Sequence, residues 1–312
     1  MESPRPDWIF FDVGWTLVDE TRPNLARFEE ALAAAPAAAG LSPRDLFSRL
    51  EVAVREDAPD PFVRVLEEIG LSAADRKRFR WNYDLIQPYR DAGPALRALR
   101  GTVKLGALAN QGVGLPARLD RMGFAGLFDL VLGSSDCGFK KPDPAFFEFA
   151  AGKAGCPPDR IMMAGDRLDN DILPAKRAGW RTIWVRRGPH GKCNPRGPEE
   201  TPDGAVRNLV DIASMFVPPG RIRLAESLDN AGAILKWPEK ERDKRLVLEY
   251  LASRFEAGRD YAEAEVNRII DAHHRFGDYA LLRRELVDRG LLARDDAGRR
   301  YRRIAGGETR TV

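Results

Sequence analysis

Four short polar clusters stand near the ends of apolar runs, and their residue types can do chemistry together. Asp12-Val13-Gly14-Trp15-Thr16 follows Trp8-Ile9-Phe10-Phe11, and Ala109-Asn110 closes a run that begins at Val103. Lys141-Pro142-Asp143-Pro144 comes after the segment 129–133, and Gly165-Asp166-Arg167-Leu168-Asp169-Asn170-Asp171 ends the run from Ile161. The run before Asp12 is too short for a helix and reads as a buried strand. An aspartate at its carboxyl end sits where open α/β sheets place ligands. A carboxylate there can attack phosphorus and split a hydrolysis into two steps. Neighbouring carboxylates suit a hard cation with oxygen ligands, and a lysine can neutralise phosphoryl oxygens. Each residue also has a plainer reading. Asp12, Asp166 and Asp171 can cap the structure that follows, Asn110 can be a turn residue, and Lys141 can be a loop lysine like its neighbour Lys140.

The elements that must position these residues follow from periodicity. Asn24 to Ala39 carries Leu25, Phe28, Ala31 and Leu32 at helical spacing, with Pro36 as a breaker. Ser42-Pro43 starts a second helix with Ser42 as N-cap, Pro61 to Ile69 forms a third, and Ala73 through Leu85 reads as a fourth. Residues from about 20 to 88 are therefore an all-helical insertion. From Pro88 on, strands alternate with helices. The strands are Val103 to Ala109, Asp129 to Gly133, Ile161 to Gly165 and Arg181 to Val185. The helices are Pro94 to Arg100, Pro116 to Met122, Pro144 to Gly155 and Asn170 to Ala178, the last stopped by Gly179. Alternation of this kind implies parallel βαβ units. Gly188 to Gly204 reads as a loop, 205–215 returns to the domain, and Pro218-Pro219-Gly220 marks a boundary.

Beyond that boundary the character changes. Lys244 to Phe255, Ala262 to His274 and Tyr279 to Asp288 are amphipathic helices, the last capped by Asp278. A hairpin follows around Asp296-Ala297-Gly298 and ends in Arg299, Arg300, Tyr301, Arg302 and Arg303. His273 lies on an apolar face and reads as a packed core histidine, and His190 and Cys193 read as loop residues without a metal role.

Composition sets the frame. A chain of 312 residues with 44% apolar and 31% charged residues fits two globular domains. A net charge of +3 points to no polyanion partner for the whole chain. Three separated cysteines form neither a zinc spacing nor a disulfide framework. No signal pattern opens the chain and no stretch reaches membrane-span length, so the expected location is the cytoplasm, with no membrane partner.

In their order and spacing the four clusters resemble the haloacid dehalogenase-like hydrolase superfamily, in its phosphatase branch with a helical cap after the first motif. The resemblance covers residues 7 to 216. It implies a phosphoric monoester hydrolase that forms an aspartyl-phosphate on Asp12 and acts on a small phosphorylated metabolite. It implies Mg²⁺ held by Asp12, the Gly14 carbonyl, Asp166 and Asp171, with Asp169 as the alternative to Asp171. Lys141 would stabilise the transition state, while Thr16, Ala109 and Asn110 with its neighbouring amides would border the phosphoryl group. Trp15 is expected at the cap entrance, and Trp81, Tyr83 and Arg90 are candidate cap liners.

Two residues depart from that pattern. Gly14 stands where these phosphatases carry a second aspartate for acid–base work, which typically contributes about 10²–10⁴-fold. Ala109 stands where they carry Ser or Thr, a lost hydrogen bond on the order of 10²-fold. These departures motivate the rival expectation of a non-catalytic sensor for a phosphorylated ligand.

The runs Lys236-Trp237-Pro238, 242–271 and 278–303 resemble a bacterial domain family of unknown function found beside helix-turn-helix regulators. The residue pattern there predicts a winged-helix-like module with either a protein-interaction or regulatory role or, through Arg283, Arg284, Arg289 and the hairpin arginines, contact with nucleic-acid phosphates. Residues 221–304 carry 19 basic and 16 acidic residues, a net charge of +3, which weakens that expectation. The expected whole is an α/β fold: a Rossmann-like parallel sheet with an inserted all-helical cap in residues 1–217 (cap about 20–88), then a small winged-helix-like domain in 218–312.

Overall fold

Trp8–Phe11 forms β1, and Ile9, Phe10 and Phe11 are fully buried, as a central strand covered on both faces requires. The computed structural model describes residues 5–295 and 299–304. It divides into two units, the first taking residues up to Gly93 with Arg100–Ile212, the second Pro94–Leu99 with residues from Ala213 onward. After β1 the chain makes β2 (Val18–Asp19), then α1 (Thr21–Ala34), α2 (Pro43–Arg55) and α3 (Pro61–Glu68), and returns through β3 (Gln87–Pro88). Next come α4 (Ala92–Leu99), β4 (Lys104–Ala109), α5 (Leu115–Leu119), β5 (Leu130–Gly133), α6 (Ser134–Cys137) and α7 (Pro144–Ala154). The unit ends with β6 (Ile161–Gly165), α8 (Leu173–Arg177), β7 (Arg181–Val185), β8 (Gly204–Val206) and α9 (Leu209–Ser214).

Six strands form one parallel sheet in the order β5-β4-β1-β6-β7-β8. β1 lies between β4 and β6, so the loops after three adjacent strands open at one edge. This is the Rossmann-like arrangement, with helices as the crossovers. Gly106 pairs with Phe10 across the sheet and has no room for a side chain, because an added Cβ would overlap the Phe10 ring. The helical insertion has its own core of Phe28, Leu46, Leu50, Phe62, Val65 and Leu66. Ser42 caps α2 in a reciprocal pair with Asp45.

Several elements differ from the sequence expectation. The segment 73–85 is not a helix but two separate tight turns, Ala73–Arg78 and Tyr83–Leu85, neither of which buries a side chain. Its one buried side chain, Phe79, falls between the two turns, so no continuous apolar face supports a helix. The helix expected from Asn170 begins as a wide turn at Leu168–Ile172 before α8. Two strand pairings have no sequence signature. β2 and β3 are two residues each and pair antiparallel, which ties the two ends of the insertion together. β8 has three residues, of which only Val206 is buried.

The second unit contains α10 (Pro219–Ser227), α11 (Glu241–Ala252), β9 (Asp260–Ala262), α12 (Glu263–Ala272), α13 (Tyr279–Asp288), β10 (Leu292–Arg294) and β11 (Arg300–Arg303). Its core gathers Val247, Leu251, Val266, Ile270, Leu282 and Leu286 around Tyr261 and Tyr301. The strands form an antiparallel sheet in the order β10-β11-β9. Asp278 caps α13 by accepting from the Leu281 amide at 2.9 Å. The expected turn at Asp296-Ala297-Gly298 lies outside the described residues. His273 is half-buried, and its neighbour His274 is the packed one, at 4% exposure. α12 ends at Ala272, and the extended chain that follows bridges His274 to Ile234. Among the described residues no helix is long and apolar enough to cross a membrane.

Candidate active site

Asp12 leaves β1 at the sheet edge, its amide donating to the Ala164 carbonyl at 2.9 Å. Lys141 arrives from the loop before α7, and its side chain is fully buried. Its Nζ donates to Asp12 Oδ1 and to Asp171 Oδ1, both at 2.5 Å. Asp171 Oδ2 accepts from the Arg167 amide at 3.0 Å. Gly165 makes this packing possible, since a Cβ there would overlap the Asp171 carboxylate. Asp166 follows β6 and is buried. Its carbonyl accepts from Trp184 Nε1 at 2.7 Å, but its Oδ2 is buried without a partner among the described residues.

Carboxylate oxygens of Asp12, Asp166 and Asp171 lie within 4.8 Å of one another. One lysine faces three acids there. Burial pushes the Asp12 carboxyl up to about 6, against the pull of Lys141, with Asp171 adding to the rise. Asp166 is raised well above the ordinary aspartate range by burial and by its two acidic neighbours. Burial would lower Lys141, but Asp12 and Asp171 outweigh it and hold it protonated. Buried carboxylates in such excess call for another cation, and the orphaned Asp166 oxygen is a natural ligand for one. The donor set, all oxygen and all anionic, fits a hard divalent ion.

The remaining sequence candidates fall into different roles. Asn110 does not present its side chain to the cluster. Its Nδ2 donates to the Lys141 carbonyl at 2.7 Å and its Oδ1 accepts from the Lys141 amide at 2.8 Å. It holds the lysine loop in register, and the expectation placed on the neighbouring main-chain amides does not involve this side chain. Ala109 is buried beside it and offers no polar side chain. Thr16 is fully buried with Oγ1 unpartnered among the described residues, while its carbonyl accepts from Arg187 at 3.2 Å. Asp169 pairs with Arg167 and stays out of the carboxylate group, so Asp171 is the acid that joins Asp12 and Asp166. Trp15 adopts a positive φ of 53°, an uncommon conformation for a bulky residue. Its indole covers Gly188 and lies 6.0 Å from the Phe47 ring of α2.

Glu20 is the residue that sequence reasoning missed. It directly precedes α1, yet it does not cap it. Asp19 accepts from the Thr21 amide at 2.8 Å instead, and the Glu20 carbonyl is held by buried Asn24 at 2.8 Å. The Glu20 carboxylate turns back toward Gly14, where an added Cβ would lie 2.9 Å from Oε1 and 3.0 Å from Oε2. Burial pushes this carboxyl up to about 8, and Asp12 and Asp19 add to the rise. No motif spacing reveals it, because the β2–β3 ribbon brings it back to the site.

A cleft of about 390 Å³ lies between the helical insertion and the loops after β6 and β7, lined in part by Arg55, Asp57, Arg167, Asp169, His190 and Cys193. That volume is in the range of small-molecule sites. Burial, with Arg167 nearby, lowers His190 to about 4 and keeps it neutral. Tyr83 lies elsewhere, beside a second cavity with Arg118 stacked on its ring, and Trp81 lies near Arg27. Neither Trp81, Tyr83 nor Arg90 lines the cleft.

A family model described as haloacid dehalogenase-like hydrolase matches residues 6–179. One described as an uncharacterized protein conserved in bacteria (DUF2087) matches residues 233–303. The glyceraldehyde 3-phosphate phosphatase of Methanopyrus kandleri is 32% identical over 228 residues, covering 65% of this chain and 95% of that protein. The pyrimidine 5'-nucleotidase YjjG of Escherichia coli is 34% identical over 135 residues, 43% of this chain and 58% of that one. Among solved structures, the HAD-hydrolase YfnB from Bacillus subtilis bound to magnesium is 20% identical with a TM-score of 0.53, covering 68% of this chain and 99% of that one. That last likeness is one of fold.

Proposed function

Because this chain belongs to the haloacid dehalogenase-like hydrolase family, we propose that it is a Mg²⁺-dependent phosphatase of a small phosphorylated metabolite. The observation that carries the reading is the Lys141 ammonium held between Asp12 and Asp171 at the edge of the sheet, with Asp166 beside them. Asp12, Asp166, Asp171 and the Gly14 carbonyl would hold Mg²⁺, which supplies the positive charge that lets a phosphate monoester approach a carboxylate. Asp12 attacks phosphorus and carries the phosphoryl group as an aspartyl-phosphate until water releases it. Lys141 orients the Asp12 carboxylate and spreads its charge toward the transferring oxygens. The unpartnered Thr16 hydroxyl and the amides around Asn110 donate to the same oxygens. The helical insertion acts as the cap that selects the substrate. Similarity to the glyceraldehyde 3-phosphate phosphatase of M. kandleri favours a small substrate.

Purified protein with Mg²⁺ should hydrolyse a generic aryl phosphate and lose that activity on chelation. Turnover that chelation leaves intact would refute the metal requirement, and a panel of phosphorylated metabolites then ranks substrates.

For the second unit the order helix, strand, helix, helix, hairpin, with the first strand added beside the last, supports a winged-helix-like reading. Arg283 pairs with Glu263, Arg289 with Glu241 and Glu285, and Arg302 with Asp260. Arginines spent this way favour a regulatory or protein-binding module over a nucleic-acid reader.

A further inference from the structure

We propose that Glu20 is the proton carrier of this active site, standing in for the carboxylate that Gly14 lacks. The inference rests on the phosphatase reading above and adds a residue to it. The space a side chain at position 14 would enter is already filled by a carboxylate, with Glu20 Oε1, Cδ and Oε2 at 2.9, 3.0 and 3.0 Å from an added Cβ. The acid reaches that space from the far side of the turn rather than from position 14 itself.

The surroundings leave Glu20 available for this work. Its carboxylate has no hydrogen-bond or ion-pair partner among the described residues, and it does not cap the helix it precedes. Lys141 is committed to Asp12 and Asp171. Glu20 also stands outside the converging Asp12, Asp166 and Asp171, so ion binding does not account for it. Its backbone is fixed by the β2–β3 pairing just before it and by Asn24 just after. The carboxylate is thus half-buried, positioned beside the Gly14 turn and free of a protein partner among the described residues.

The chemistry balances. As an Asp12 oxygen bonds to phosphorus, the bond from phosphorus to the ester oxygen breaks, and the departing alkoxide takes the proton of the Glu20 carboxyl group. In the second half-reaction the Glu20 carboxylate takes a proton from water. The water oxygen bonds to the same phosphorus, and the bond to Asp12 breaks. The products are an alcohol and inorganic phosphate, and Glu20 is protonated again.

Leaving-group dependence tests this. Nitrophenolate leaves without a proton, whereas an alkoxide does not. Glu20→Gln and Glu20→Ala should lower kcat/KM on glycerol phosphate by about 10²–10⁴-fold. With 4-nitrophenyl phosphate the same variants should keep the first release of nitrophenol and slow only later turnovers, giving a burst. Their half-saturating Mg²⁺ concentration should stay that of the unmodified protein. Moving the acid, as Gly14→Asp in the Glu20→Ala background, should recover at least about tenfold on glycerol phosphate. Gly14→Asp with Glu20 in place should not, because the two side chains compete for one space. Equal losses in kcat/KM on both esters, a shifted Mg²⁺ requirement or failed relocation would overturn the inference. Glu20 variants that match the unmodified protein while Asp12→Asn is inactive would overturn it alone. No Asp12-dependent turnover at all would overturn the phosphatase reading with it.

Discussion

Lys141 and Arg289 each hold two carboxylates, yet the two clusters do different things. In the first unit, Lys141 meets Asp12 and Asp171 at 2.5 Å with no side-chain exposure. In the second, Arg289 meets Glu241 and Glu285 at 2.8 Å with about a third of its side chain in water. The lysine sits in low dielectric among three acids, so its charge governs whether they stay ionised. The arginine shares its partners with solvent, where ion pairs contribute little. The same count of contacts therefore marks an electrostatic centre in one unit and a solvated surface in the other.

Lys141→Met should have the largest effect. It strands Asp12 and Asp171 as buried charges, and breaking a buried pair costs about 3–5 kcal/mol. A denaturant titration should show that loss, together with absent phosphatase activity. Unchanged stability would mean the cluster is wetter than its geometry indicates. Added Mg²⁺ should sharpen the same contrast. An ion binding only the folded state at 100 times its Kd stabilises by about 2.7 kcal/mol. The melting temperature should rise with Mg²⁺ in the unmodified protein and much less in Asp166→Asn, which removes the orphaned ligand. At the small end, Arg289→Gln should leave the melting temperature where it was. On the protein-binding reading, neutralising Arg299, Arg300, Arg302 and Arg303 should change little in a low-salt DNA titration. Salt-sensitive binding lost in that variant would restore the nucleic-acid reading.

The comparison also explains what the sequence reveals. β1 and β6 are legible because each is a short, fully apolar run between polar stops, and Asp12 and Asp166 are legible because they end such runs. Ser42 and Asp278 announce their helices by local chemistry that needs no tertiary partner. Lys141 and Asp171 reach Asp12 only through the parallel topology, which the alternation of strands and helices anticipates. Asn110 is visible as a residue but not in its role, because its partner lies 31 positions away in a loop. Glu20 is invisible for a related reason. Two strands of two residues carry no periodicity, yet their pairing carries this carboxylate back to Gly14. The segment 73–85 misleads in the opposite direction, its composition resembling a helix while its one buried side chain, Phe79, falls between two short turns.

The central claim is that Asp12 takes the phosphoryl group. Hydrolysis of an aryl phosphate with Mg²⁺ by the unmodified protein and by Asp12→Asn tests it most directly. The first protein should turn over and the second should show only background hydrolysis. Equal rates for the two proteins would contradict it.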